Sequence, residues 1–151
     1  MRKILAVLLL IALCTMPALG ASDELAVSLE FAAGTLCAYA AGAVGAMVLS
    51  PVFAAGAQGW ESLSRRILGA VVGFGVGSVI GSSFGVIGVA TLFESDGEVW
   101  SCVLGATAGT GLVLGVSVAF EATDRIFPFA PPIAALGAVI GFNTGSGSGT
   151  Q

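Results

Sequence analysis

The sequence predicts an all-α protein: a small transmembrane bundle of about three spanning helices plus a C-terminal half-helix. Three observations carry that prediction. Of 151 residues, 56% are hydrophobic and only 9% are charged, against roughly 45–50% and about 25% in soluble domains. Several uncharged runs approach or exceed the roughly 20 residues that cross a bilayer core. Finally, Gly69, Gly73, Gly77, Gly81 and Gly85 stand four apart inside a stretch from Ile67 to Phe93 that holds no charge. A lane of hydrogens lets another helix's backbone come very close, which is how helices associate where lipid removes the hydrophobic drive. In water the same lane would be a poor helix, since each interior Gly costs roughly 1 kcal/mol relative to Ala.

The first 20 residues read as a secretory signal. Arg2 and Lys3 form its basic start, Ile4 to Met16 its apolar core, and Pro17-Ala18-Leu19-Gly20 a small-residue cleavage region. An uncleaved anchor is the alternative. A lipoprotein acylated at Cys14 is disfavoured by the bulky Leu13 before it.

One membrane-embedded domain is expected over residues 21–142. Its first helix spans about Glu24 to Ser50, with an uncharged core from Phe31 to Leu49 and a stop at Pro51. The second spans about Leu63 to Phe93 and carries the glycine lane; the third spans about Val99 to Phe120. Pro128, Pro131 and Pro132 then break the chain before a short apolar stretch, Ile133 to Phe142. Ten residues make roughly 15 Å of helix, half a bilayer, so a re-entrant or packed half-helix is predicted. Residues 143–151 are rich in Gly, Ser and Thr, the composition of a disordered tail.

Small residues recur at the same period in every segment: Gly34, Ala38, Gly42 and Ala46 in the first, Gly97, Ser101, Gly105 and Gly109 in the third, Gly137, Gly141 and Gly145 in the last. Each helix therefore has a close-packing face. Four residues turn a helix by about 400°, so a lane drifts about 40° per step. A lane that drifts on that scale either meets one partner at a right-handed crossing of about −40° or touches two neighbours in succession; two neighbours, the first and third segments, are the preferred reading.

A β reading competes at Val72 to Ser78, where glycine alternates with other residues as in a strand of an outer-membrane barrel. Barrel strands alternate apolar with polar residues over runs of about ten, and here the partner is glycine, so helix is preferred.

After removal of the signal, nine acidic residues face three basic ones, a net charge of −6. That balance excludes nucleic acid, which needs Lys and Arg against its phosphates. It places Arg65, Arg66 and Arg125 on the cytoplasmic side and the acidic connection Glu94 to Glu98 outside, in line with the positive-inside rule.

Candidate chemistry is sparse. The chain has no histidine, which removes the commonest general base and metal ligand. No catalytic residue, cofactor or metal site is predicted. Gly73 to Ser78 has the flavour of a nucleotide loop but lacks the following Lys. Ser82 and Ser83 have no base in reach. Cys37 and Cys102 are the two cysteines beyond the signal. Both fall in the outward half, where a disulfide can form; the alternative is two small buried hydrophobes. Glu30, Glu61 and Glu121 lie at segment ends, where carboxylates reach headgroups and water, so ion conduction is the weaker reading. Trp60 and Trp100 suit an interfacial belt, and Tyr39 sits mid-span with its hydroxyl expected on a neighbouring carbonyl.

The glycine lane behind a signal resembles the glycine-zipper membrane proteins of bacterial envelopes. Residues Pro131 to Asn143, Pro-Pro-Ile-Ala-Ala-Leu-Gly-Ala-Val-Ile-Gly-Phe-Asn, look like the closing motif of exported bacterial proteins with this organisation. The resemblance implies an envelope location, inner membrane ahead of outer, and no activity. Unlike the outer-membrane glycine-zipper lipoproteins, this chain has no clear lipid-attachment cysteine. The expected role is structural or interactive, with membrane lipid and further copies of the chain as partners. An oligomeric pore or small transport protein is the alternative.

Overall fold

The computed structural model describes residues 24–120 and 126–145. The signal segment 1–20, Asp23, Glu121, Arg125 and residues 146–151 lie outside them. Every element among the described residues is helical, so the barrel reading has no support there. Helix α1 runs Glu24–Ala54, α2 Gly59–Leu92 and α3 Val99–Ala119. A 3-10 turn over Phe127–Phe129 leads into α4, Ala130–Gly145.

All four are long and apolar enough to cross a membrane, the last when its 3-10 turn is counted, as Phe127–Gly145. This differs from the predicted half-helix at both ends. Pro131 and Pro132 sit in the first turn of α4, where the missing N–H groups have no intrahelical partner to lose. At the other end the helix continues through Asn143, Thr144 and Gly145. Likewise α1 does not stop at Pro51 but carries it one turn before its end. It closes ahead of Gly56, whose φ of +78° is the left-handed conformation that ends helices at low cost. The other end of the bundle has a less comfortable cap. Glu94, with φ +54°, takes the left-handed position after α2, and Ser95 N–H bonds the Ala90 carbonyl at 2.9 Å.

The helices alternate in direction along two close pairs. In the first, a Cβ on Gly69, Gly73, Gly77, Gly81 or Gly85 would meet, in order, the carbonyl group of Leu49, Gly45, Ala41, Cys37 or Ala33, in every case closer than 3.0 Å. Both sequences step by four in opposite directions, so α1 and α2 are antiparallel and in strict register. The expectation of two neighbours is therefore corrected: the lane faces α1 throughout. The drift of about 40° per step arises on both helices at once. Their contact stripes wind together, in the right-handed sense expected of a repeat longer than 3.6 residues.

The second pair is built the same way. Gly105 opposes the Gly137 carbonyl, Gly109 that of Ile133, and Gly141 that of Ser101. Gly97, expected on the third helix's lane, lies before α3 instead, with the Phe142 ring against it. The pairs join beside Gly75, where an added Cβ would be in ordinary van der Waals contact with Thr110 and Leu114 of α3, and through a core of Val27, Val86, Ala90, Cys102, Ala106, Ala138, Val139 and Phe142.

Candidate functional site

The small-residue stripe of α1 does not begin at Gly34. Four residues earlier on the same face is Glu30, which is 1% exposed and heads the fully buried side chains by volume. Val27 and Ala38, on the same stripe by helical spacing, are buried with it. The expectation that Glu30 reaches headgroups is thus corrected, because the close packing that begins at Gly34 draws the turn before it into the bundle. Next to Gly34 are Val86 of α2 and Ala135 of α4. Glu61 behaves as expected. It is exposed and pairs with Arg65 at 2.6 Å across one helical turn.

All four helices contribute to the surroundings of Glu30. From α4, the Asn143 Nδ2 donates to Glu30 Oε2 at 3.1 Å and also to the Val139 carbonyl at 2.9 Å. From α3, Cys102 is 0% exposed and lies within electrostatic reach of the carboxyl. From α2, Ser83 is within hydrogen-bonding reach of Cys102, and its own hydroxyl donates to the Val79 carbonyl at 2.9 Å. The group adjoins the apolar core, since Cys102 belongs to it, as do Phe142, next to Asn143 in sequence, and Val139, one helical turn before it. A carboxyl enclosed among apolar helices needs polar partners, and the Asn143 amide is one of them.

Apart from Glu30 and Cys102, the sequence-selected residues fall elsewhere. The five lane glycines, with Gly105, Gly109, Gly137 and Gly141, lie at interhelical contacts; Gly34 lies by Val86, and Gly42 by Ser78 and Phe74. Cys37 and Cys102 are both free thiols, Cys37 exposed and Cys102 buried. Gly73 to Ser78 lies within α2 and forms no loop. Tyr39 donates to the Pro128 carbonyl at 2.7 Å, the kind of partner predicted for it, and Trp60 and Trp100 are exposed beside the starts of α2 and α3. On the outer side of the α3/α4 pair is an open apolar groove of about 500 Å³, lined by Gly105, Gly109, Gly137 and Gly141 together with Leu104, Leu112 and Ile140.

Among the described residues, fold and site together define a four-helix apolar bundle suited to a membrane, with the Glu30 carboxyl enclosed where the helices meet. No protein family matches the sequence, and no curated protein or solved structure matches it either.

Proposed function

We propose that the chain is a non-enzymatic integral membrane protein of a bacterial envelope, inner membrane ahead of outer, with a structural or interactive role. Its glycine-zipper faces hold its own helices together. One observation carries this reading: the five-glycine lane is filled from end to end by the backbone of α1. A lane so occupied cannot also line a passage between copies, which weakens the oligomeric-pore reading. The non-enzymatic assignment rests on the sequence, which lacks histidine altogether and has no lysine after the signal.

Partners then meet the outward faces. Gly88, Gly111 and Gly115 look onto open space, and self-association through those faces fits the reading. The α3/α4 groove is apolar enough for an acyl chain, which makes membrane lipid its natural neighbour. The resemblance to exported glycine-zipper proteins supports the envelope assignment. The placement of Arg65 and Arg66 at the opposite end from Glu94, Asp96 and Glu98 supports an inward-facing α1/α2 turn.

Ion flux through liposomes containing the purified protein tests the assignment. The wild type is expected to be silent, and Gly77→Leu to lower the yield of folded protein without creating or removing a leak. A wild-type leak abolished by Gly77→Leu in a still-folded protein establishes the pore instead.

A further inference from the structure

We infer that the α3/α4 groove is a site for one phospholipid acyl chain, and that Glu98 at its mouth selects a lipid whose headgroup ends in a primary ammonium. The inference rests on the membrane-embedded reading above and names which lipid meets this face. Gly105 and Gly137 bring the two backbones together and have no side chains to fill the cleft beside them. Its walls are Leu104 and Leu112 of α3 and Ile140 of α4, all exposed. Along α3 the lining runs from Ser101 to Leu112, a length of helix of about 16 Å, or roughly one leaflet of a bilayer core.

The Ser101 end of the groove is polar. The Ser101 hydroxyl donates to Glu98 Oε2 at 2.6 Å, and Gly145 of α4 lies beside both residues. The exposed Glu98 carboxylate therefore stands where the last turn of α4 meets the start of α3. Trp100, 66% exposed, is one turn before Leu104 on the same face, a placement that suits the headgroup level. Among the described residues the basic side chains are Arg65 and Arg66, both near the start of α2 at the other end of the bundle. A cation for Glu98 has to come from outside them.

A zwitterionic lipid with a primary ammonium meets both halves of this arrangement. Its acyl chain lies along the apolar cleft, and its ammonium donates to the Glu98 carboxylate in a charge-assisted hydrogen bond. The adjoining phosphate accepts from the first-turn amides of α3, Val99 to Ser101, which have no intrahelical acceptor and lie at the positive end of the helix dipole. A choline headgroup carries its charge without an N–H to donate. A glycerol headgroup leaves only its phosphate charge to face Glu98, with Glu94 and Asp96 in the same connection. A second copy seated here by a two-fold axis along the membrane normal would set its own Glu98 at the same end, like charge toward like charge.

Trp100 reports the occupant. The experiment reconstitutes the full chain carrying Trp60→Phe, which leaves Trp100 as the single tryptophan, in phosphatidylcholine vesicles. A small fixed fraction of the host is replaced in turn by an ethanolamine, choline or glycerol phospholipid brominated high on one acyl chain, and quenching of Trp100 is read. The ethanolamine lipid is expected to show a relative affinity up to about fivefold above the other two, the range of one exposed ion pair. Glu98→Gln is expected to abolish that preference. Ala108→Phe, which fills the groove from an exposed position on its wall, is expected to abolish it as well. Glu94→Gln, in the same acidic connection but before the groove begins, is expected to leave it unchanged. Equal quenching by the three lipids, a choline or glycerol lipid ahead of ethanolamine, a preference that survives Glu98→Gln or Ala108→Phe, or its loss in Glu94→Gln overturns the inference. Absence of quenching by every lipid defeats the membrane reading as well, whereas equal quenching by all three defeats this one alone.

Discussion

Gly45 and Gly73 oppose each other so closely that a methyl group on either would fall on the other's carbonyl oxygen. The contact is backbone on backbone, and the neighbours of both residues are held in helices that cannot yield a carbonyl to make room. Gly105 and Gly137 repeat the arrangement in the second pair.

Gly73→Leu is therefore expected to part α1 from α2 and destabilise the protein by about 3 kcal/mol or more, at the high end for overpacked cores. Gly88, with nothing within 4 Å of a Cβ, is the matched control. Gly88→Ala is expected to be neutral or to gain up to about 1 kcal/mol from helix propensity. Unfolding by denaturing detergent from mixed micelles measures both; equal losses in the two variants would contradict the distinction.

Much of this arrangement is legible in the amino-acid sequence. The period of four marks Gly69 to Gly85 as a contact face, and apolar length marks α1, α2 and α3. Two things are harder to read. Drift of the lane on one helix points to a second neighbour only if the partner is straight, whereas a partner stripe with the same step, Ala33 to Leu49, drifts with it. Distance from the end of the apolar run places Glu30 at the headgroups. Its phase relative to Gly34, Ala38 and Gly42 is the informative signal, since four residues before Gly34 on that face is Glu30 itself. The length of α4 is hidden by its prolines, which read as breakers until they are placed in a first turn.

The left-handed Glu94 gives a second prediction. A side chain at φ +54° costs roughly 1–2 kcal/mol relative to the right-handed region, and glycine carries no such penalty. Glu94→Gly is expected to stabilise the α2 terminus by about 1 kcal/mol, part of the relief being returned as unfolded-chain entropy. Thermal unfolding in micelles is the readout, and a lower midpoint than wild type would count against the strain.

On α3, the hydroxyls of Thr110 and Ser117 are buried without a hydrogen-bond partner. An enclosed polar group left unsatisfied costs about 1–3 kcal/mol. Thr110→Val keeps the shape and removes the hydroxyl, and Ser117→Ala does so with little change in volume. Each is expected to be neutral or stabilising by up to about 2 kcal/mol. Destabilisation of both by more than about 1 kcal/mol would show that these oxygens do find partners in the membrane.

The matched step of four on α1 and α2 carries one more consequence. Translating α2 along α1 by four residues returns nearly every glycine to an equivalent seat, so the contact behaves as a slide with evenly spaced stops and does not itself choose among them. The choice is made by what does not repeat. The connection over residues 55–58 is too short to let one helix advance a full step past the other. In this bundle the glycines set how near α1 and α2 come, and a short turn sets where along each other they stop.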